Sequence, residues 1–273
     1  EVYHETKSSS SMGINVDNVS INLQEMMNYK EEGINGNVKG IDFLFKKNKV
    51  ESIYGIAKIL SSNQINIKLR GSAGQSLGAF AVKGINLEVI GDCNDYVGKG
   101  LSGGTIIIRP ARATEIETEK NTIIGNTVLY GATSGKLFAA GQAGERFAVR
   151  NSGATAVVEG CDSNGCEYMT GGSIVILGDV GDNFGAGMTG GMAFVYDPNN
   201  EFPKKANPET IIWQTPETEF WKNNLKELVL KHYQETESNV SKNILENFDV
   251  EINNFLQVCP KEMIDKLENP ITN

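Results

Sequence analysis

INIKL at residues 65–69, INLEVI at 85–90 and TIIIR at 105–109 are the first three of seven short apolar runs in this chain. The other four are KLFAA at 136–140, ATAVVE at 154–159, SIVIL at 173–177 and MAFVY at 192–196. Successive runs begin 20, 20, 31, 18, 19 and 19 residues apart, so one interval contains an insertion. A fixed spacing in this range is typical of a solenoid, whose repeats bury their apolar faces only against neighbouring repeats.

The repeating unit is predicted to be a β-strand. Each run is too short for a helix and is rich in Ile and Val, with branched residues two positions apart at Ile106 and Ile108. A glycine, which tolerates positive φ and close backbone approach, immediately precedes six of the runs. These turn glycines are Gly84, Gly104, Gly135, Gly153, Gly172 and Gly191. The sequence therefore predicts a mainly β protein, a single-stranded parallel β-helix of about 19–20 residues per turn with short flanking α-helices.

The composition predicts a soluble, ordered domain. Its 30 glycines among 273 residues follow no Gly-X-Y period, which excludes a collagen-like chain. A net charge of −9 and the lack of a basic patch argue against a nucleic-acid partner. We recognise neither a membrane span nor a signal peptide, and the four cysteines show no disulfide-framework spacing. We therefore expect an intracellular protein with reduced thiols, from the cytoplasm or a plastid-like organelle and not secreted.

The chain divides into four predicted segments. Residues 1–48 are polar and Asn-rich and are expected to be a poorly ordered lead-in, with one short helix around residues 23–30. Residues 49–60 are predicted to form a helix that caps the first coil, and residues 61–197 to form the solenoid. Residues 198–273 are predicted to be a helical segment that covers an open end of the solenoid, since exposed strand edges template aggregation.

The helical character of the last segment follows from its apolar spacing. One predicted helix face carries Trp221, Leu225, Leu228, Val229 and His232. Two shorter helices are predicted over residues 241–256 and 260–267. The insertion in the solenoid, ARATEIETEKN at 111–121, is charged and is expected to be a solvated loop.

Two glycine motifs match a dinucleotide-binding fingerprint but are interpreted as structural corners. GKGLSG at 98–103 and GAGMTG at 185–190 both fit G-x-G-x-x-G. That fingerprint requires glycines that lead into a helix whose N-terminus binds pyrophosphate, whereas each motif here precedes a strand-like run. The additional turn glycines predicted from these motifs are Gly98, Gly100, Gly185 and Gly187.

No metal site is predicted. Cys161 and Cys166 lie five residues apart in CDSNGC, without the further ligands that zinc or an iron–sulfur cluster needs. His4 and His232 are isolated and are expected to lie in the lead-in and on a packed helix face. Calcium binding and a tight corner remain alternatives for Asp92, Asn94 and Asp95.

Charged residues crowd one coil of the predicted solenoid. Glu145, Arg146, Arg150 and Asn151 fall within GERFAVRNSG at 144–153. Such a group could bind an anion, because guanidinium groups bind carboxylate and phosphate in a fork. The interpretation we favour is an ion-pair network at the corner, or contacts with a neighbouring domain.

Three long segments resemble one protein family. They are GSAGQSLGAFAVKGINLEVIGDCNDYVGKGLSGGTIIIRP at 71–110, NTVLYGATSGKLFAAGQAGERFAVRNSGATAVVEGCDSNGCEYMTGG at 126–172 and GDNFGAGMTGGMAFVYD at 181–197. They closely resemble the C-terminal GXGXG domain of the glutamate synthase large subunit. The resemblance extends more weakly to the end of the chain and is thin before Leu60, where Glu51 and Ser52 stand in place of the family's acidic-basic pair.

The resemblance implies a right-handed β-helix and a place in a larger enzyme. In that family an amidotransferase domain hydrolyses glutamine, and ammonia passes through a tunnel to a domain that holds FMN and a 3Fe-4S cluster and converts 2-oxoglutarate to glutamate. NAD(P)H or ferredoxin supplies the electrons. The implied partners are the amidotransferase, central and FMN-binding domains, and the small subunit or domain.

We expect this chain to be a non-catalytic scaffold with no cofactor of its own, because it shows no nucleophilic N-terminal cysteine, cluster-type cysteine run or βα-barrel pattern. Three alternatives remain. A similar β-helix occurs in a subunit of formylmethanofuran dehydrogenase, and the chain could also be a free-standing binding module. A polysaccharide-processing β-helix enzyme would line several coils with carboxylates and arginines, whereas here the charges concentrate on one coil.

Overall fold

The computed structural model describes residues 20–47, 64–111 and 116–272. These residues belong to two compact units, Glu1–Leu60 and Ser61–Asn273. The predicted capping helix over residues 49–60 lies outside the described residues.

The described part of the first unit contains a long helix, α1, over Leu23–Lys47. The sequence predicted only a short helix around residues 23–30, and this length was wrong. Three glycines within α1 each lower helix propensity by about 1 kcal/mol, which obscured its continuation. Glu25 in the first turn and Lys46 and Lys47 in the last turn complement the helix dipole.

The second unit is a solenoid, as predicted. Its main sheet contains seven parallel strands, one from each coil. They are β1 (Ile65–Arg70), β2 (Ile85–Ile90), β3 (Ser102–Arg109), β5 (Ser134–Ala139), β7 (Ser152–Val158), β8 (Thr170–Ile176) and β9 (Gly190–Tyr196). A second, short parallel ladder joins β4 (Thr122–Ile124) to β6 (Gln142–Ala143). The parallel β-helix predicted from the repeat is therefore confirmed.

The strands stack in a register that separates an inner from an outer face. Ile106 pairs with Leu137, and the corresponding positions of the later coils are all buried and apolar. Their neighbours along each strand point to the outer face. The outer column of paired residues runs Lys68, Glu88, Ile107, Phe138, Val157, Val175 and Phe194. It changes from charged to apolar along the stack, so the sequence marks which strands are covered on their outer face.

The cover is supplied by the C-terminal segment, which contains four α-helices and two strands. The helices are α2 (Phe202–Lys205), α3 (Glu219–Thr236), α4 (Asn239–Glu246) and α5 (Phe248–Glu251), of which α2 is a single turn beside the last coil. The inward side chains of α3, Leu225 and Val229, are buried in one cluster with Phe138, Val157 and Phe194. The apolar face predicted for this helix is thus the face that contacts the sheet.

The remaining predictions for this segment were partly wrong. Phe255–Pro260, which overlaps both of the shorter predicted helices, forms strand β11, and Ile211–Gln214 forms β10. Both strands run antiparallel and continue the main sheet beyond β9. FLQVCP is a short apolar run that alternates little, so its period alone does not separate strand from helix. The far edge of the sheet is therefore extended by strands and not covered by helices alone.

Among the described residues, no helix combines the length and the apolarity that crossing a membrane requires.

Candidate functional site

The glycine motifs lie in turns of unusual backbone geometry. Six coils each contain a five-residue segment whose first, third and fifth residues have φ between +52° and +72°. These segments, called alternating turns below, are residues 76–80, 96–100, 127–131, 146–150, 164–168 and 183–187. The two predicted glycine motifs place Gly98, Gly100, Gly185 and Gly187 at the third and fifth positions.

Most residues at these positions are not glycine. Twelve of the eighteen carry a side chain, including Phe80, Leu129, Arg146 and Tyr168. A left-handed backbone costs such a residue about 1–2 kcal/mol. The conformation therefore persists only because neighbouring structure stabilises it.

The stabilising contacts are backbone hydrogen bonds to the coils on both sides. In the fourth coil, Arg146 N donates to Ser163 O at 2.8 Å and Arg150 N donates to Glu167 O at 3.1 Å, both in the next coil. Between them, Ala148 N donates to Val128 O of the preceding coil at 2.9 Å. The second, third and fifth coils repeat this pattern. Each alternating turn in the interior of the stack is thus bonded to both neighbours, which stiffens the corner.

The turn glycines predicted before the strands serve a different need. Gly84, Gly135, Gly172 and Gly191 have φ between +83° and +107°. Gly153 does not have positive φ, but a Cβ there would lie 2.2 Å from Thr133 O of the preceding coil.

GKGLSG and GAGMTG lead into β3 and β9, not into helices, so neither presents a helix N-terminus to a pyrophosphate.

The charged coil does not form the ion pairs that we favoured. Glu145, Arg146 and Arg150 are exposed, and no salt bridge involves them within the described ranges. Asn151 is instead fully buried: its side chain accepts from Ala154 N at 3.0 Å and donates to Ala154 O at 2.9 Å. Asn151 therefore holds the corner, while contacts of the three charged residues with another domain stay a prediction.

The candidate calcium residues also bond to the backbone. Asp95 Oδ1 accepts from Asn126 N at 2.8 Å, and Asn94 Oδ1 accepts from Asp95 N at 3.0 Å. Residues 20–47, 64–111 and 116–272 contain no group of three or more His, Cys, Asp or Glu side chains arranged to hold a metal ion. These Asx side chains thus act at a corner of the coil.

The four cysteines are buried free thiols. Burial raises the pKa of Cys93 and of Cys161 to about 12, that of Cys259 to about 11, and that of Cys166 well above its ordinary value. An iron–sulfur cluster needs three or four thiolates at one place, and these four thiols do not fit that requirement.

A buried polar cluster joins the C-terminal helices to the solenoid. Glu159, at the end of β7, and His232, on α3, are both fully buried, and His232 Nε2 lies 3.4 Å from Glu159 Oε1. The Ser238 hydroxyl donates to the same carboxylate oxygen, and it accepts from Ser241 N at 3.1 Å as the N-cap of α4. The prediction that His232 lies on a packed helix face agrees with its burial, but its partner was not predicted. Nothing in the run ATAVVE distinguishes a buried glutamate from one exposed at a strand end.

This cluster is structural in character. Ser238 donates to the carboxylate and not to the imidazole, so the serine–histidine hydrogen bond of a hydrolase triad is not formed here. All three side chains are buried, which keeps them from a substrate. A carboxylate in such a place is costly unless it accepts hydrogen bonds, so the cluster fixes the α3–α4 connection against β7.

We predict that Ser238→Ala lowers the free energy of unfolding of this chain by about 2–4 kcal/mol, because it removes a hydrogen bond to a buried carboxylate and a helix N-cap. Ser163→Ala is the matched control, since the Ser163 hydroxyl also donates to a carboxylate, Asp162, but near solvent. It is expected to cost no more than about 0.5 kcal/mol. Equal losses for the two variants in urea unfolding would show that the buried cluster does not hold the helices.

A second prediction separates close backbone approach from positive φ. Gly153→Ala is expected to lower the free energy of unfolding by about 2–3 kcal/mol, because its Cβ would overlap the Thr133 carbonyl oxygen of the preceding coil. Gly74→Ala, at φ +70° with no atom within 4 Å of the added Cβ, is expected to lose about 1 kcal/mol. Urea unfolding gives both values, and the reverse order would mean that turn conformation, not coil spacing, limits the stack.

Comparison with known proteins agrees with the resemblance seen in the sequence. The family model described as GXGXG motif matches residues 44–261. The chain is 64% identical over 212 residues to the glutamate synthase [NADPH] large chain of Azospirillum brasilense, covering 78% of this chain and 14% of that protein.

Two further relatives differ in the electron donor that their names give. The glutamate synthase [NADH] of Schizosaccharomyces pombe is 49% identical over 225 residues, covering 81% of this chain and 10% of that protein. The ferredoxin-dependent glutamate synthase of Pyropia yezoensis is 51% identical over 196 residues, covering 72% and 13%. The chain thus spans only about a tenth to a seventh of the length of these relatives.

Proposed function

We propose, on the premise that this chain belongs to the GXGXG motif family, that it is a structural domain of a glutamate synthase and carries none of its catalytic residues. The parent enzyme would convert glutamine, 2-oxoglutarate and a reductant to two molecules of glutamate. The chain would then serve glutamate biosynthesis and ammonia assimilation without performing chemistry.

The observation that carries this proposal is the use made of the polar groups in the solenoid. Asp95, Asn126 and Asn151 bond to backbone groups, and Glu159 is buried under the helices. The alternating turns in the interior of the stack are hydrogen-bonded to the coils on both sides. Such a stack resists bending, and these polar groups are bonded to the backbone or buried, so they are not presented to a substrate.

A rigid β-helix suits an enzyme that moves ammonia between two active sites. Ammonia made by an amidotransferase domain must reach the synthase domain before it escapes to solvent, so the two domains need a fixed alignment. The proposed partners are these two domains, the central domain, and the small subunit or domain. FMN and the 3Fe-4S cluster would be bound by other domains, and NAD(P)H or ferredoxin would be oxidised there.

The names of the relatives favour this function over the subunit of a formylmethanofuran dehydrogenase-like enzyme. A free-standing binding module would be favoured if the natural polypeptide lacked amidotransferase and flavin domains.

The experiment is to place Gly153→Ala in the full-length parent enzyme and measure glutamine consumed per 2-oxoglutarate converted. A scaffold loosened at one coil should waste ammonia, so this ratio should rise. Glutaminase activity and ammonia-dependent synthesis should persist, because neither active site is on this chain. Gly74→Ala is the control and should keep the ratio of the unmodified enzyme.

Two results would contradict the scaffold. One is an unchanged ratio in a Gly153→Ala enzyme whose β-helix is measurably destabilised. The other is loss of one partial reaction alone, which would place a catalytic contribution on this chain.

A further inference from the structure

The geometry points to a docking strip along the fifth positions of the alternating turns, which we propose receives an apolar segment bearing a carboxylate from another domain of the same polypeptide. The fifth-position strip consists of Phe80, Gly100, Gly131, Arg150, Tyr168 and Gly187, one residue from each of six successive coils. This inference rests on the proposed function, because it names the surface through which the scaffold would hold a partner domain.

Two aromatic rings stand out on this strip. Phe80 is 66% exposed and Tyr168 is 52% exposed, although aromatic residues in a solenoid ordinarily gain stability by burial. Val82, beside Phe80, is 53% exposed and extends the apolar surface. Both aromatic residues also keep a left-handed backbone, so each is strained at a place where its ring gains little within this chain.

The rings are held in place by glycines of the next coil. A Cβ on Gly100 would lie 2.5 Å from the Phe80 ring, and a Cβ on Gly187 would lie 2.5 Å from the Tyr168 ring. Each ring therefore lies directly against a glycine backbone, which limits its rotation. Rings that are exposed yet oriented lose little conformational freedom when a partner covers them.

Between the rings the strip has a gap. Gly131 carries no side chain, and no atom lies within 4 Å of where its Cβ would be. Aromatic rings of the preceding coil cover Gly100 and Gly187. Gly131 is not covered, because the fifth position of its preceding coil is Gly100, which has no side chain. Phe80 on one side and Arg150 on the other border this gap, which is one coil, about 4.8 Å, deep along the stack.

Arg150 supplies the charge that defines the occupant. Its guanidinium is exposed, and no salt bridge involves it among the residues that the structure describes. A carboxylate is the natural complement of an exposed guanidinium between apolar contacts. Since the chain spans only 10–14% of the length of its relatives, most of the parent polypeptide lies elsewhere and can supply such a segment.

The test is hydroxyl-radical footprinting of Phe80 and Tyr168 in this chain and in the full-length enzyme. The oxidation rate of both rings should fall severalfold in the full-length enzyme, while buried Phe147 stays unmodified in both. Equal rates in the two proteins would overturn the proposal. Protection already present in this chain would also overturn it, since the cover would then be the chain's own first residues or a second copy.

A substitution in the gap makes the test specific. Gly131→Asn should leave this chain folded, because asparagine tolerates the left-handed region and no atom obstructs it. In the full-length enzyme it should restore oxidation of Phe80 and Tyr168 severalfold. Gly74→Asn, at φ +70° and equally unobstructed, is the matched control and should leave both rings protected.

The footprinting experiment tests the docking strip, and the ratio of glutamine consumed to 2-oxoglutarate converted tests the scaffold, so the two hypotheses can be rejected independently. If the rings are protected but the ratio is unchanged in Gly153→Ala, the docking strip is supported and the scaffold function is contradicted. If the rings are unprotected but the ratio is raised, the docking strip is contradicted, and the scaffold would contact its partner domain through another surface.

Discussion

The structure depends on backbone hydrogen bonds that tie each alternating turn in the interior of the stack to the coils on both sides. A left-handed residue is unfavourable, and three occur in each turn, twelve of them with side chains across the solenoid. Because Ala148 N bonds backward and Arg146 N and Arg150 N bond forward, and the other interior turns repeat this pattern, no interior turn can relax without breaking contacts to two neighbours. The strain is therefore distributed through the stack, and the same bonds that sustain it make the corner rigid.

This constraint explains why the family motif is only partly a glycine motif. Glycine is required where a second backbone approaches, as at Gly153, or where a ring from the preceding coil covers the position, as at Gly100. Elsewhere the hydrogen-bond ladder holds residues such as Leu129 or Arg150 in the same conformation. The side chains at these positions are then free to vary, which lets one rigid corner present different surfaces along its length.

Much of the fold could be predicted from the sequence because it is periodic. The seven strands follow from the spacing of the apolar runs. The covered part of the outer face was not predicted, because the column in which Glu88 gives way to Ile107 becomes visible only with the strand register. The prediction was wrong where local pattern is ambiguous. FLQVCP became strand β11 because the open edge of β9 was available to pair with it, a tertiary effect that no local period shows. In α1, glycines hid a long helix.

The candidate sites were harder to predict than the fold, since they depend on distant pairs. Glu159 meets His232 and Ser238 from 73 and 79 residues away, and an isolated histidine gives no sign of this. Glu145, Arg146 and Arg150 lie close in sequence and are all exposed, with Arg146 and Arg150 at opposite ends of one alternating turn. Their proximity in sequence suggested ion pairs, but it does not determine where exposed side chains point. The sequence does not indicate the left-handed backbone of Phe80 and Tyr168, because these residue types ordinarily avoid that conformation.

The most direct test is native-state hydrogen exchange on this chain. It compares the exchange rates of the Leu129, Ala148 and Cys166 amides with those of the amides in strand β7. If the two-sided ladder makes the corner rigid, these turn amides exchange only through the same global opening as the strand and share its free energy. Exchange of the turn amides through an opening of clearly lower free energy would show that the corners move independently and that the stack is not stiff.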